Sequence, residues 1–158
     1  MKPADPPPAP LAIIGIGCLF PGAAGLGPFW SRILNRVDAV ADVPPSHWRP
    51  QDYYHSDPKA PDRVYAARGG FLDPVPFNPA DFGIAPTNLE AIDTAQLLGL
   101  VVARMALLDA GYAPEPGAGP GEAGLRPLDR GRVSVILGVT GSLELVIPLG
   151  ARLGHPLW

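Results

Sequence analysis

Few side chains in this sequence are of a type that does chemistry. Cys18 is the only cysteine, and His47, His55 and His155 are the only histidines. A catalytic thiol needs a helix N-terminus or a basic neighbour to favour its thiolate, and a base within reach. Cys18 instead passes from an apolar run, LAIIGIG, into an apolar turn, and free cysteine is among the most buried residue types. A core cysteine is the better reading. His47 and His55 lie in an irregular segment with Asp52 and Asp57 nearby. That leaves a metal site open, but no helical HxxxH spacing supports it, and surface or packing histidines fit better. Asp52, Asp57, Asp62 and Asp73 sit at loop positions, where turn-forming aspartates are the ordinary explanation. Ser142 lies in GVTGSLE, which misses the GxSxG pattern of a nucleophile elbow because Thr140 stands where a glycine is required. No triad can be assembled.

Gly15-Ile16-Gly17 after an apolar run invites a dinucleotide-binding reading. That fingerprint needs a third glycine three residues on, opening a helix. Position 20 is Phe and Pro21 follows, so the two glycines are better explained by close backbone packing and a turn. On its residues alone, the chain is assigned no catalytic, cofactor-binding or metal-ligating residue.

The elements that would position these groups are clearer. LAIIGIG, Leu11 to Gly17, has the β-rich apolar character of a strand buried on both faces of a parallel or mixed sheet. Residues 28–36 predict an amphipathic helix, with Pro28 at its first position and Phe29, Trp30, Ile33, Leu34 and Val37 at helical spacing. From Asp38 to Pro86 the pattern is irregular and rich in Pro, Gly and aromatics. Such a long stretch without clear elements is uncommon in a compact domain, so an ordered excursion pinned by Trp48, Tyr53, Tyr54, Tyr65, Phe71, Phe77 and Phe82 is expected. The strongest element is a helix from Asp93 to Ala110. Asp93 and Gln96 have capping spacing and Gly111 sits where a helix commonly ends. It is apolar almost all round, with Arg104 its only internal charge, as a core helix would be. A Pro/Gly-rich loop over 113–131 leads to RVSVILGV, Arg132 to Val139, a second expected buried strand. Strand, helix, strand in that order predicts an α/β fold class.

Composition bounds the rest. At 158 residues, 47% of them apolar, the chain suits one domain with a packed core. Its net charge of −3 and lack of a Lys/Arg run argue against nucleic acid as a partner. The start lacks the build of a signal peptide, and no apolar run approaches the roughly 20 residues of a membrane helix, so cytoplasmic localisation is the default. Pro and Gly, 22 and 19 residues, concentrate in three places. One is residues 1–10, expected to be a mobile or polyproline-like lead-in ahead of a domain at 11–158. The apolar LELVIPLGARL near Trp158 has no capping after it, and truncation of a longer domain is expected.

Several segments in order resemble the start of a ketosynthase (β-ketoacyl-acyl-carrier-protein synthase) domain of modular polyketide and polyunsaturated fatty acid synthases. LAIIGIGCLFPGA resembles that family's opening strand and turn. FWSRILNRVDAVADVPPSHW is similar to its first helix and the Pro-rich step ending in Trp48. DYYHSDPKAPDRVYAARGGFL resembles the segment with Tyr, Asp-Pro and Gly-Gly-Phe. FNPADFGIAPTNLEAIDTAQLLGLVVARMALLDAGY matches the Phe-Gly-Ile, Asp-x-x-Gln and Asp-Ala-Gly-Tyr landmarks, and RVSVILGV the strand that follows. The wording of PPSHW, APTNLEAIDTAQLLGLVVA and IPLGARLGHPLW leans towards the polyunsaturated fatty acid type.

The resemblance implies the first portion of a thiolase-like fold, and decarboxylative Claisen condensation of an acyl-cysteine with a malonyl unit. It implies phosphopantetheine of an acyl carrier protein as the substrate carrier, other synthase domains as partners, and a homodimer at full length. In the family the nucleophilic cysteine follows the strand matched by Val133 to Val139, and two assisting histidines come later. Cys18 matches a non-nucleophilic cysteine of the opening turn, and His47, His55 and His155 match neither histidine. The chain alone is therefore expected to be inactive. The competing readings are a non-catalytic partner of the chain-length-factor type, a module recruiting carrier protein through aromatic loops, and an unrelated nucleotide-binding domain.

Overall fold

The structure is a computed structural model that describes residues 10–113 and 124–140. The Pro-rich lead-in up to residue 9, most of the expected loop over 113–131, Ser142 and His155 lie outside the described residues.

The opening turn is a two-residue antiparallel pair, β1 (Leu19–Phe20) with β2 (Ala23–Ala24), Leu19 facing Ala24 and Phe20 facing Ala23. Pro21-Gly22 makes the reversal, with Gly22 at φ 65, where a side chain would also strike the Arg32 guanidinium. Arg32 Nε donates to the Gly22 carbonyl at 2.7 Å, so the following helix grips the turn it leaves. That helix, α1, spans Leu26–Leu34. It begins two residues before the expected start, and Pro28 is its third position rather than its first. The first four N–H groups of a helix have no internal partner, so proline costs nothing there. Phe29 stacks on Phe20 at 4.1 Å between ring centroids, joining helix and turn.

The irregular excursion is closed at its neck by β3 (Val40–Asp42) paired antiparallel with β4 (Arg68–Gly70). Val43 N–H donates to the Ala67 carbonyl just inside the pair. Within the excursion lie a single turn of helix, α2 (Pro50–Tyr53), and a one-residue bridge from Tyr54 to Val64. Trp48 meets Tyr53 edge-on at 6.3 Å, His47 meets Phe71 at 4.9 Å, and Phe77 stacks on Phe82 at 4.9 Å. Most of the expected aromatic pins are thus in use, while Tyr54 and Tyr65 are exposed. Two 3-10 turns, Pro79–Phe82 and Pro86–Ala91, carry the chain to the long helix.

That helix, α3, spans Thr94–Asp109, and Asp93 caps it as expected: its Oδ1 accepts from Ala95 N–H at 2.9 Å. Gly111, at φ 78, ends it in the left-handed conformation open to glycine. Beyond it β5 (Tyr112–Ala113) runs parallel to β6 (Arg126–Pro127), and Arg126 reaches back to the Ala110 carbonyl while its guanidinium lies 4.4 Å from the Tyr112 ring centre. A 3-10 turn at Arg130–Arg132 precedes Val133.

Two expectations need correction. Neither Leu11–Gly17 nor Val133–Val139 forms a ladder, because no described strand lies alongside to take its N–H and C=O groups. Nor is α3 buried: its residues are half-exposed to exposed, and among the described residues the only buried hydrophobics are Ala23 and Val43. An all-round apolar helix needs cover on all sides, and the described residues leave every residue of α3 at least partly open.

Candidate functional site

The opening run and α3 approach each other closely at two glycines. A Cβ added to Gly15 would overlap the Ala106 carbonyl oxygen and lie 2.7 Å from Ala110 N. One added to Gly17 would overlap the Val102 carbonyl oxygen and lie 2.8 Å from Ala106 N. The two glycines therefore let one backbone lie directly on another, as the sequence suggests in preference to nucleotide binding. Between them Ile16 N–H donates to Asp109 Oδ2 at 2.9 Å.

Asp109 is a residue that sequence reasoning does not single out. A signal for it exists: a carboxylate in the last turn opposes the negative end of the helix dipole, so its presence asks for a donor from elsewhere. Ile16 supplies that donor.

Next to this contact, and sharing Gly15, Ala106 and Ala110 with it, is an open apolar groove of about 800 Å³. Its lining includes Ile14, Ala106, Leu107, Tyr112, Val135 and Ile136. Its charged lining residues are Asp129 and Arg132. Asp129 is already engaged, capping the turn at 130–132 through Gly131 N–H at 3.2 Å. The groove offers apolar surface but no nucleophile with a base. Among the described lining residues Ser134 and Tyr112 carry hydroxyls, and no histidine or cysteine is among them.

Among the described residues, Cys18, His47 and His55 do not line it. Cys18 is half-buried in the opening turn, where its carbonyl accepts from Gly25 N–H at 3.0 Å, and its thiol makes no hydrogen bond or ion pair among the described residues. His47 packs on Phe71. His55 Nδ1 accepts from Asp57 N–H at 3.1 Å, and Asp57 Oδ1 accepts from Lys59 N–H at 2.9 Å. The Asp52 carbonyl accepts from Arg63, and Asp62 takes a left-handed φ of 53. Asp57 thus makes the side-chain turn contact expected of Asp in loops, whereas Asp52 lies in α2 and bonds only through its backbone carbonyl. Among the described residues no three of His, Cys, Asp and Glu come together in metal-ligating range. Arg104, which with Asp109 makes up the charged residues of α3, reaches Asp81 at 3.5 Å and lies over the Phe82 ring, tying the preceding 3-10 turn to the helix.

Residues 9–144 match the family model described as the β-ketoacyl synthase N-terminal domain. The chain is 40% identical over 108 residues to a phenolphthiocerol/phthiocerol polyketide synthase of Mycobacterium tuberculosis, covering 67% of this chain and 6% of that protein. It is 34% identical over 119 residues to polyketide synthase PksN of Bacillus subtilis, covering 75% of this chain and 2% of that one. In structure it is similar to the oxazolomycin ketosynthase domain OzmH of Streptomyces albus, with a TM-score of 0.61 and 33% identity over 64% of this chain and 18% of that one. The chain thus spans a small part of each protein it matches. The shared architecture is part of the thiolase-like fold of ketosynthases, as the sequence resemblance implies.

Proposed function

The chain belongs to the β-ketoacyl synthase family through that family's N-terminal domain, and on that premise we propose that it is the opening segment of a ketosynthase acting in polyketide biosynthesis. The observation that carries this reading is the match over residues 9–144, supported by a fold similar to a solved polyketide ketosynthase. The alternative of a non-catalytic partner finds less support, since these relatives are polyketide synthases and a ketosynthase domain.

The complete reaction would be a decarboxylative Claisen condensation. An acyl group moves from its carrier thioester to an active-site cysteine. A malonyl unit on the phosphopantetheine of an acyl carrier protein then loses CO2, and the resulting carbanion attacks the acyl-cysteine and releases the thiolate. The residues of this chain take the scaffolding part. Gly15, Gly17 and Asp109 hold the opening run on α3, and the excursion closed by β3 and β4 packs its aromatics locally. Residues 11–158 form the ketosynthase portion and residues 1–10 a lead-in. Acyl carrier protein, other synthase domains and a second ketosynthase copy are the partners of the full-length enzyme. No helix among the described residues is long and apolar enough to cross a membrane, in keeping with a cytoplasmic setting.

The chain on its own carries no condensing activity in this reading, because its sole cysteine lies in the opening turn with no base bonded to it. Incubating it with acyl- and malonyl-loaded carrier protein should leave Cys18 unacylated by intact mass and release no CO2. Acyl transfer to Cys18 with turnover, abolished by Cys18→Ala, would overturn the assignment. The family reading has its own test. Sequencing the transcript past the Trp158 codon is expected to reveal an open frame with a cysteine among small residues and, later, two histidines; an immediate stop codon would refute the opening-segment reading.

A further inference from the structure

We draw no further inference here: the strongest candidate, the apolar groove beside α3 lined by Ile14, Val135 and Ile136, is an unpartnered face, and nothing in the structure shows what covers it.

Discussion

Leu11–Gly17 and Val133–Val139 are nearly the same kind of peptide, short, apolar and rich in β-branched residues, yet they end in different circumstances. The first is anchored over its second half. Gly15 and Gly17 remove the side chains that would hold it off α3, and Asp109 takes the Ile16 N–H. The second is anchored only at its start, where Val133 N–H donates to the Arg130 carbonyl at 3.4 Å. Beyond that, Ser134 to Thr140 make no backbone hydrogen bond among the described residues, and Ile136 is 93% exposed. Neither segment is buried, since Leu11 and Ile13 are 98% and 85% exposed, and what the first gains is backbone contact at Gly15–Gly17. A receiving surface must approach closely enough to exclude water and must offer an acceptor for the backbone that comes with it.

The widest test of this contrast uses the chain as it stands. With Ala23 and Val43 the only buried hydrophobics described, the isolated chain should bind a hydrophobic dye strongly and unfold over a broad denaturant range, with little near-UV CD. A sharp two-state transition with native-like near-UV CD, in a monomer, would show that the second segment finds cover within this chain. The next effect is at the first segment's contact. Gly17→Val places new atoms against the Val102 carbonyl, a backbone group that cannot swing aside. A loss of about 3 kcal/mol is expected for forced overpacking of this kind, read as lost amide protection along α3. Unchanged protection would mean that the contact does not hold the helix.

Smaller effects separate the hydrogen bond from the packing. Asp109→Ala should cost about 1 kcal/mol, the worth of an ordinary net hydrogen bond at a partly exposed site. The readout is faster exchange of the Ile16 amide, and Asp109→Asn should restore most of the protection because its amide oxygen still accepts. Equal loss in both variants would assign the role of Asp109 to its charge instead. The smallest effect belongs to the second segment. Ile136→Ser changes a side chain that is almost wholly exposed, so stability should move by less than about 0.5 kcal/mol, while dye binding falls. A loss comparable to that of Gly17→Val would erase the distinction between the two segments.

Much of the fold was legible in the residues. The α3 boundaries follow from Asp93 at the cap and Gly111 at the end, since both act through local backbone geometry. The close-packing role of Gly15 and Gly17 was legible by elimination, from the missing third glycine of a phosphate-binding turn. Other features were not. The pairing of β3 with β4 joins residues far apart along the chain, in runs too short and too polar to show a strand period. The part played by Asp109 depends on a partner far away in sequence. The family was legible from landmarks in order, whereas no single side chain among them announces an active site.

The sequence by itself determined local events: the cap and the end of α3, where the chain must turn, and which runs are apolar. These depend on capping, φ preference and hydrophobicity, which act within a few residues. Only the tertiary structure decided which apolar run gains a partner. That choice rests on whether a second backbone comes within contact distance and presents a matching acceptor; Gly15 and Gly17 permit the approach, but the α3 backbone and Asp109 that receive the run lie far away in sequence. Hence two similar segments part ways, Gly15–Gly17 seated on α3 and Val135–Ile136 left open in the lining of the groove.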